Sequence, residues 1–161
     1  MNLEITNRIL ENLLYRQELQ KLEELEKDRI FCRHGIEHSF DTARIAIILC
    51  RENGIEINPD IIYSSALLHD LGRSQEYTEK IPHHTAGVCI ANKILDDIDC
   101  PDDIKKSVLR IIGNHRNPDN DPSTPEYIFY TADKKSRLCF MCPARNECYW
   151  SDEKKNMKPE V

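Results

Sequence analysis

His38, the adjacent pair His69 and Asp70, and Asp133 are the residues whose types and spacing can do chemistry. His38 opens an apolar run through Phe40, Ala43, Ile45 and Ala46. The His69-Asp70 pair follows Leu67-Leu68 at the end of another run, and Asp133 lies inside a third. Three converging helices would bring two imidazole nitrogens and two carboxylates to one point. That donor set suits a borderline divalent ion such as iron, manganese, cobalt, nickel or zinc, and spacing alone does not choose among them. Ionisable groups buried in apolar runs need partners, which favours reading the four together rather than as separate hydrogen-bonded side chains.

A second set of donors lies near the carboxyl end. Cys139-Phe140-Met141-Cys142 is a C-x-x-C pair, and Cys148 follows six residues later. Three thiols at that spacing suit a metal, usually zinc where the site is structural, and thiolates also hold iron–sulfur clusters. Cys32 stands six residues before His38, and Cys139 six residues after Asp133. If His38 and Asp133 meet on antiparallel helices, both offsets run toward the same end. The expected site is therefore Cys32, Cys139, Cys142 and Cys148, tying the tail to the second helix, with His34 as the substitute for Cys32. Cys50, Cys89 and Cys100 read as core fillers.

The elements that must position these groups read as helices. Leu3, Ile9, Leu10, Leu13, Leu14, Leu19, Leu22 and Leu25 recur at steps of three and four. They predict one helix over residues 3 to about 28, packed on the core. A second runs from about Ile36 to Arg51 and stops at Asn53-Gly54. A third opens with Asn58 as cap and Pro59 in the first position, and runs through the His69-Asp70 pair to a stop at Gly72. A fourth spans Pro82 or His83 to about Asp96, and a fifth Asp99–Pro101 to Gly113-Asn114. Residues 117–123 form a loop rich in turn formers. A last helix restarts at Thr124-Pro125, carries Asp133 and ends near Leu138. The prediction is one all-α domain: residues 1–29 an amino-terminal helix, 30–138 the metal-binding bundle, and 139–161 a cysteine-rich tail.

Composition agrees with that reading. The 161 residues suit one core, 40% are hydrophobic and 31% charged, and only 5 are Gly. A formal net charge of -6 argues against nonspecific nucleic-acid binding through a basic face. An anionic small substrate stays compatible, because a bound divalent ion dominates the local field. The opening Met1-Asn2-Leu3-Glu4-Ile5 has no basic-then-apolar pattern of a signal peptide. The apolar stretch Ile45–Cys50 is far too short to span a membrane. Seven cysteines without such a signal favour a reducing cytoplasm.

His38, the His69-Asp70 doublet and Asp133 match, in order and context, the H…HD…D pattern of the HD-domain superfamily of metal-dependent phosphohydrolases. The flanking words match too: Glu37-His38-Ser39 before Ala43-Arg44-Ile45-Ala46, Leu67 to Gly72, and Thr131-Ala132-Asp133. The resemblance covers roughly residues 30 to 138 and implies an HD-type helical bundle. His83-His84-Thr85-Ala86-Gly87 resembles the family's H-x-x-x-G element, with His83 preferred as ligand and His84 as a substrate contact. His115 resembles the later histidine of two-metal members. The resulting set, His38, His69, Asp70, His83, His115 and Asp133, looks like the branch that splits symmetrical dinucleoside tetraphosphates. The GYP signature of the cyclic-dinucleotide branch is absent.

The resemblance implies one or two divalent ions, iron or manganese foremost and nickel, cobalt or zinc as alternatives. It implies a phosphorylated small-molecule substrate, a nucleotide above all, attacked by metal-activated water. Asp70 would bridge the metals. Arg73, where many relatives carry Lys, would hold a phosphate, and Lys134 is a further candidate phosphate contact. Some proteins of this fold are di-iron oxygenases, and a nucleotide-sensing protein without turnover is the other alternative. The oligomeric state is left open, a homo-oligomer included.

Overall fold

Apolar residues at three- and four-residue steps fold the chain into eight α-helices in the computed structural model, which describes residues 2–159. They are α1 (Glu4–Glu11), α2 (Leu13–Leu25), α3 (Ile36–Glu52), α4 (Pro59–Leu68), α5 (Arg73–Glu79), α6 (His83–Asp97), α7 (Asp102–Asn114) and α8 (Pro125–Lys135), followed by a 3-10 turn at Cys139–Met141. No strand occurs among the described residues, so the fold is the all-helical bundle that the sequence predicts. No helix among them is long and apolar enough to cross a membrane.

Helix α4 organises the bundle. It packs against α1, α3 and α7. Its Leu67 and Leu68 enter one apolar cluster with Ile9, Ile94 and Ile112. Its Ile62 and Ala66 enter a second with Ala43, Ile111 and Phe129. Asn58 caps it as predicted, accepting the Asp60 N–H at 3.0 Å, with Pro59 in the first turn. The buried Asp60 carboxylate also accepts the Ile5 and Thr6 N–H groups, each at 2.8 Å. A carboxylate at those unpaired donors fixes the start of α1 on α4.

Three boundaries differ from the sequence reading. The predicted first helix is two helices, because Asn12 leaves helical geometry (φ -66°, ψ 133°). Its Oδ1 accepts the Tyr15 N–H at 3.0 Å and its Nδ2 donates to Asp97 at 2.6 Å. An Asn side chain that caps the next helix competes well with the backbone.

Gly72 does not end a helix in the left-handed region, since its φ is -65°. Helix α4 ends at Leu68, the His69-Asp70 pair occupies the turn, and α5 starts at Arg73. Gly72 is needed for close approach: a Cβ there would lie 2.1 Å from the His83 carbonyl oxygen and 2.4 Å from the Gly87 nitrogen. The last helix closes at Lys135, short of Leu138, where Ser136 turns its hydroxyl to the Asp133 carbonyl at 2.8 Å. Cys50 and Cys100 are buried as predicted, but Cys89 is exposed on α6 and fills no core.

Candidate metal centre

The predicted ligands converge at the carboxyl end of α4. His38 comes from the first turn of α3, His69 and Asp70 from the turn after α4, and Asp133 from the last turns of α8. All four are buried, with one donor atom of each within 4.8 Å of the others. His38 Nε2 lies 3.2 Å from Asp133 Oδ1 and 3.5 Å from Asp70 Oδ2. His69 Nε2 lies 3.0 Å from Asp70 Oδ2.

A second set, Asp70, His83 and His115, is equally close-knit and buried. His83 Nε2 lies 3.6 Å from Asp70 Oδ1 and 3.1 Å from His115 Nε2. Asp70 thus turns one oxygen to each set.

The chain fixes which ring nitrogens face the centre. His69 Nδ1–H donates to the Ala66 carbonyl at 2.8 Å, and His115 Nδ1–H to the Ile112 carbonyl at 2.6 Å. His83 Nδ1–H donates to Glu76 Oε2 at 2.9 Å. His38 Nδ1 faces the Ser136 hydroxyl at 3.0 Å. In His69, His83 and His115 the Nδ1 bond turns Nε2 inward, the orientation a metal ligand requires, while His38 Nε2 also points inward and is met there by Arg137. His69 Nε2 and Asp70 Oδ2 are buried facing each other, and neither has a well-formed hydrogen bond to any other group. Buried polar atoms left with so little are rare unless a cation completes them, so the residues fit a divalent ion that displaces the His69 proton.

Electrostatics lead the same way. Burial alone would lower His69, yet the Asp70 and Asp133 carboxylates override it and raise the imidazole to about 9. Burial opposes ionisation of Asp70, but Arg73 and His69 hold it well below the usual carboxylate range. Against the same penalty, hydrogen bonds from His38 and His69 hold Asp133 down. Burial pushes His115 down to about 4. Burial and the nearby Arg73 cation push His83 to about 2. The centre holds two carboxylates and keeps neutral imidazoles on its His83–His115 side.

The family model of the HD domain matches residues 35–138. The chain belongs to the HD-domain family. That places it in the superfamily of metal-dependent phosphohydrolases. The chain is 38% identical over 152 residues to an uncharacterized protein of Clostridium beijerinckii, covering 94% of this chain and 96% of that one. It is 31% identical over 97 residues to ribonuclease Y of Petrotoga mobilis, covering 60% of this chain but 17% of that protein. Ribonuclease Y of Mycoplasma genitalium is similar over 84 residues, at 32% identity, covering 52% of this chain and 14% of that protein. No solved structure matches the chain at a significant level.

Around the ligands of this HD domain stand cations. Arg73 Nε donates to Asp70 Oδ1 at 2.7 Å, so its first partner is a ligand carboxylate. Lys134 pairs with Asp133 Oδ2 and lies 5.0 Å from the Tyr130 ring centroid. His84 stands beside His83 with ring centroids 6.2 Å apart, and its Nδ1 is buried without a partner.

Arg137, one of three basic residues after Asp133, reaches further in than spacing suggests. Its Nη2 donates to His38 Nε2 at 2.8 Å and to Asp133 Oδ1 at 3.4 Å, and its Nη1 to the Arg33 carbonyl at 2.9 Å. This guanidinium reaches two members of the first donor set at once, His38 and Asp133.

Two further groups escape sequence reading. Glu76, which orients His83, lies on the unpredicted α5. Glu26 is buried just after α2, where its carboxylate accepts from His34 Nδ1–H and from the Tyr77 hydroxyl, both at 2.5 Å. Burial opposes Glu26 ionisation, but these bonds lower it, while burial takes His34 down to about 4. His34 stands edge-on to His38, with centroids 5.9 Å apart. Its Nδ1 is committed to Glu26. Charge at the end of a helix otherwise patterned for solvent gives no sequence signal.

Proposed function

We propose that this HD domain is a two-metal phosphohydrolase acting on a nucleotide or another small phosphorylated metabolite. The observation that carries this reading is the placement of Asp70, which offers one carboxylate oxygen to each donor set. His38, His69 and Asp133 would complete one ion's ligands, and His83 and His115 the other's. Bound divalent ions supply hydroxide near neutral pH and offset charge on the reacting phosphoryl group.

The chain's own residues do the rest. Arg73 holds Asp70 ionised and aligned through Nε, and its partly exposed guanidinium is available to phosphate oxygens. Arg116 and Lys134 directly follow His115 and Asp133 in the chain. They line a cavity of about 650 Å³ together with Tyr130, Trp150 and Lys154. That volume suits a small ligand. Among the described residues no carboxylate lines it, so it favours an anion, with aromatic faces on which a base can stack. Phosphoryl transfer needs little beyond such positioning and positive charge.

The test is phosphate release from a panel of nucleoside polyphosphates, dinucleoside polyphosphates and sugar phosphates, with manganese or ferrous iron added without oxygen. The relatives named ribonuclease Y add short RNA to the panel. The expected result is metal-dependent release that Asp70→Asn abolishes. Protein that carries both ions yet cleaves no phosphate ester or anhydride, or consumes oxygen instead, overturns the reading.

A further inference from the structure

Outside the HD centre, four of the seven cysteines line one small cavity. Cys32 reaches it from the segment before α3, and Cys139, Cys142 and Cys148 from the chain after α8. None of Cys50, Cys89 and Cys100 is among its walls. Cys32 feels Cys139 and Cys142 electrostatically: burial raises its thiol, Arg137 opposes that, and the two cysteines raise it further. All four are free thiols, and Cys139 is buried. The turn at Cys139–Met141 brings the first pair round, with the Cys142 N–H donating to the Cys139 carbonyl at 3.1 Å.

We propose that Cys32, Cys139, Cys142 and Cys148 hold a four-iron, four-sulfide cluster that staples the carboxyl-terminal tail to the segment entering α3. This site is separate from the His/Asp centre and does not depend on the activity proposed for it.

The choice of a cluster over one zinc ion rests on size. Four thiolates round a single zinc, at about 2.3 Å each, sit roughly 3.8 Å from one another. The His/Asp sets of this protein are packed to within 4.8 Å, but among the described residues no three cysteine sulfurs are that close. The space they surround is about 50 Å³, several times the roughly 10–15 Å³ that one water needs. A cluster takes each thiolate on a different iron and so spreads the four sulfurs around its own bulk.

Charge agrees. Arg29, Arg137, Arg145 and Lys155 line the cavity, and among the described residues no carboxylate does. Cations around thiols favour the thiolate form and offset the net negative charge of a cluster with four thiolate ligands. Phe31 and Trp150 add apolar cover.

The tail itself calls for a cross-link. Residues 142–159 form turns and bends without a regular helix. Ala144 is their one hydrophobic side chain in the core. Asn156 ties the tail to α8 by donating to the Lys134 and Arg137 carbonyls at 2.6 and 2.9 Å. A short segment with so little apolar burial needs a staple to stay ordered. Assembly is balanced without electron transfer at the protein: four thiols lose protons to solvent as four iron–sulfur bonds form on a core of two ferric and two ferrous ions with four inorganic sulfides, delivered in those oxidation states.

The experiment is anaerobic purification of the full chain, followed by assay of acid-labile sulfide and by Mössbauer spectroscopy. Sulfide separates a cluster from iron bound at the histidines. The expected content is about four sulfides per chain, with visible absorbance that dithionite bleaches. It falls to near zero in Cys142→Ser and Cys148→Ser and is unchanged in Cys89→Ser and His69→Ala. One zinc per chain without sulfide overturns the proposal, and so does absence of sulfide after reconstitution with iron and sulfide. Both overturning results are read on the unmutated chain, so a cysteine variant that fails to fold does not shelter the idea.

Discussion

His83 Nε2 and His115 Nε2 face each other across 3.1 Å, each with its Nδ1–H already donated, to Glu76 and to the Ile112 carbonyl. Two lone pairs at that distance repel unless a cation lies between or beside them. Neither ring supplies the cation as its own proton, because burial holds His115 down to about 4, and burial with Arg73 holds His83 to about 2. The pair is therefore poised for a metal. His115→Ala should cost the chain one of two bound ions and leave the ion at His38, His69 and Asp133. Metal per chain by elemental analysis checks this. Two ions retained in the variant would take His115 out of the centre.

Glu76 sets the orientation of His83 from α5, with its own side chain 28% exposed. Such partners of ligating imidazoles are worth about 10–100-fold in metal affinity. Glu76→Gln should weaken the His83–His115 ion by that order, read by competition with a fluorescent chelator. The other ion should keep its affinity. Equal losses at both ions would mean that Glu76 acts on the fold rather than on His83.

The meeting of His38, His69, Asp70 and Asp133 was legible because each lies on a helix whose apolar period is plain, and three helix ends can share one point. The same logic of offsets makes Cys32 and Cys139 expected neighbours, and both line one cavity. The break at Asn12 was not legible, since leucines continue in step on both sides and only the bond to Asp97 makes the kink pay. Helix α5 was lost for a related reason: Gly72 is a common helix stop, and its close contact with the α6 backbone is invisible in one dimension. With α5 went Glu76. Arg137 and Lys135 carry the same charge, and only the tertiary structure singles out the one that reaches His38.

The metal-free protein should be most stable near pH 6.5. His69 is raised to about 9, so its contribution is complete below its unfolded value of about 6.5 and is lost as pH rises through 9. His34 and His115 are lowered to about 4, so their contributions are present above about 6.5 and lost as pH falls through 4. The depressed carboxyls of Asp70 and Asp133 extend that acid loss below their ordinary range. Thermal melts in chelator from about pH 4 to about pH 10 should trace this dome. A bound ion replaces the His69 proton, so metal should abolish the alkaline fall and release that proton at neutral pH. Melting temperatures flat between neutrality and pH 10 in chelator would contradict the raised His69.

Two glycines near the centre should respond oppositely to one methyl group. At Gly72 a Cβ would lie 2.1 Å from the His83 carbonyl oxygen and 2.4 Å from the Gly87 nitrogen, both rigid backbone atoms. Gly72→Ala must push α6 away from the His69-Asp70 turn. Overpacking of this kind costs about 1–3 kcal/mol or more, a fall in Tm of several degrees. It should also move His83 away from Asp70, and so loosen metal binding beyond the loss of stability. At Gly113, near the end of α7, the new Cβ meets Val88 Cγ2 at 3.7 Å, an ordinary contact. There Gly113→Ala removes helix-breaking freedom and should stabilise by about 0.5–1 kcal/mol, with metal content unchanged. Melts and metal analysis on both variants test the pair. A harmless Gly72→Ala would show that the approach of α6 to the turn is not what positions His83.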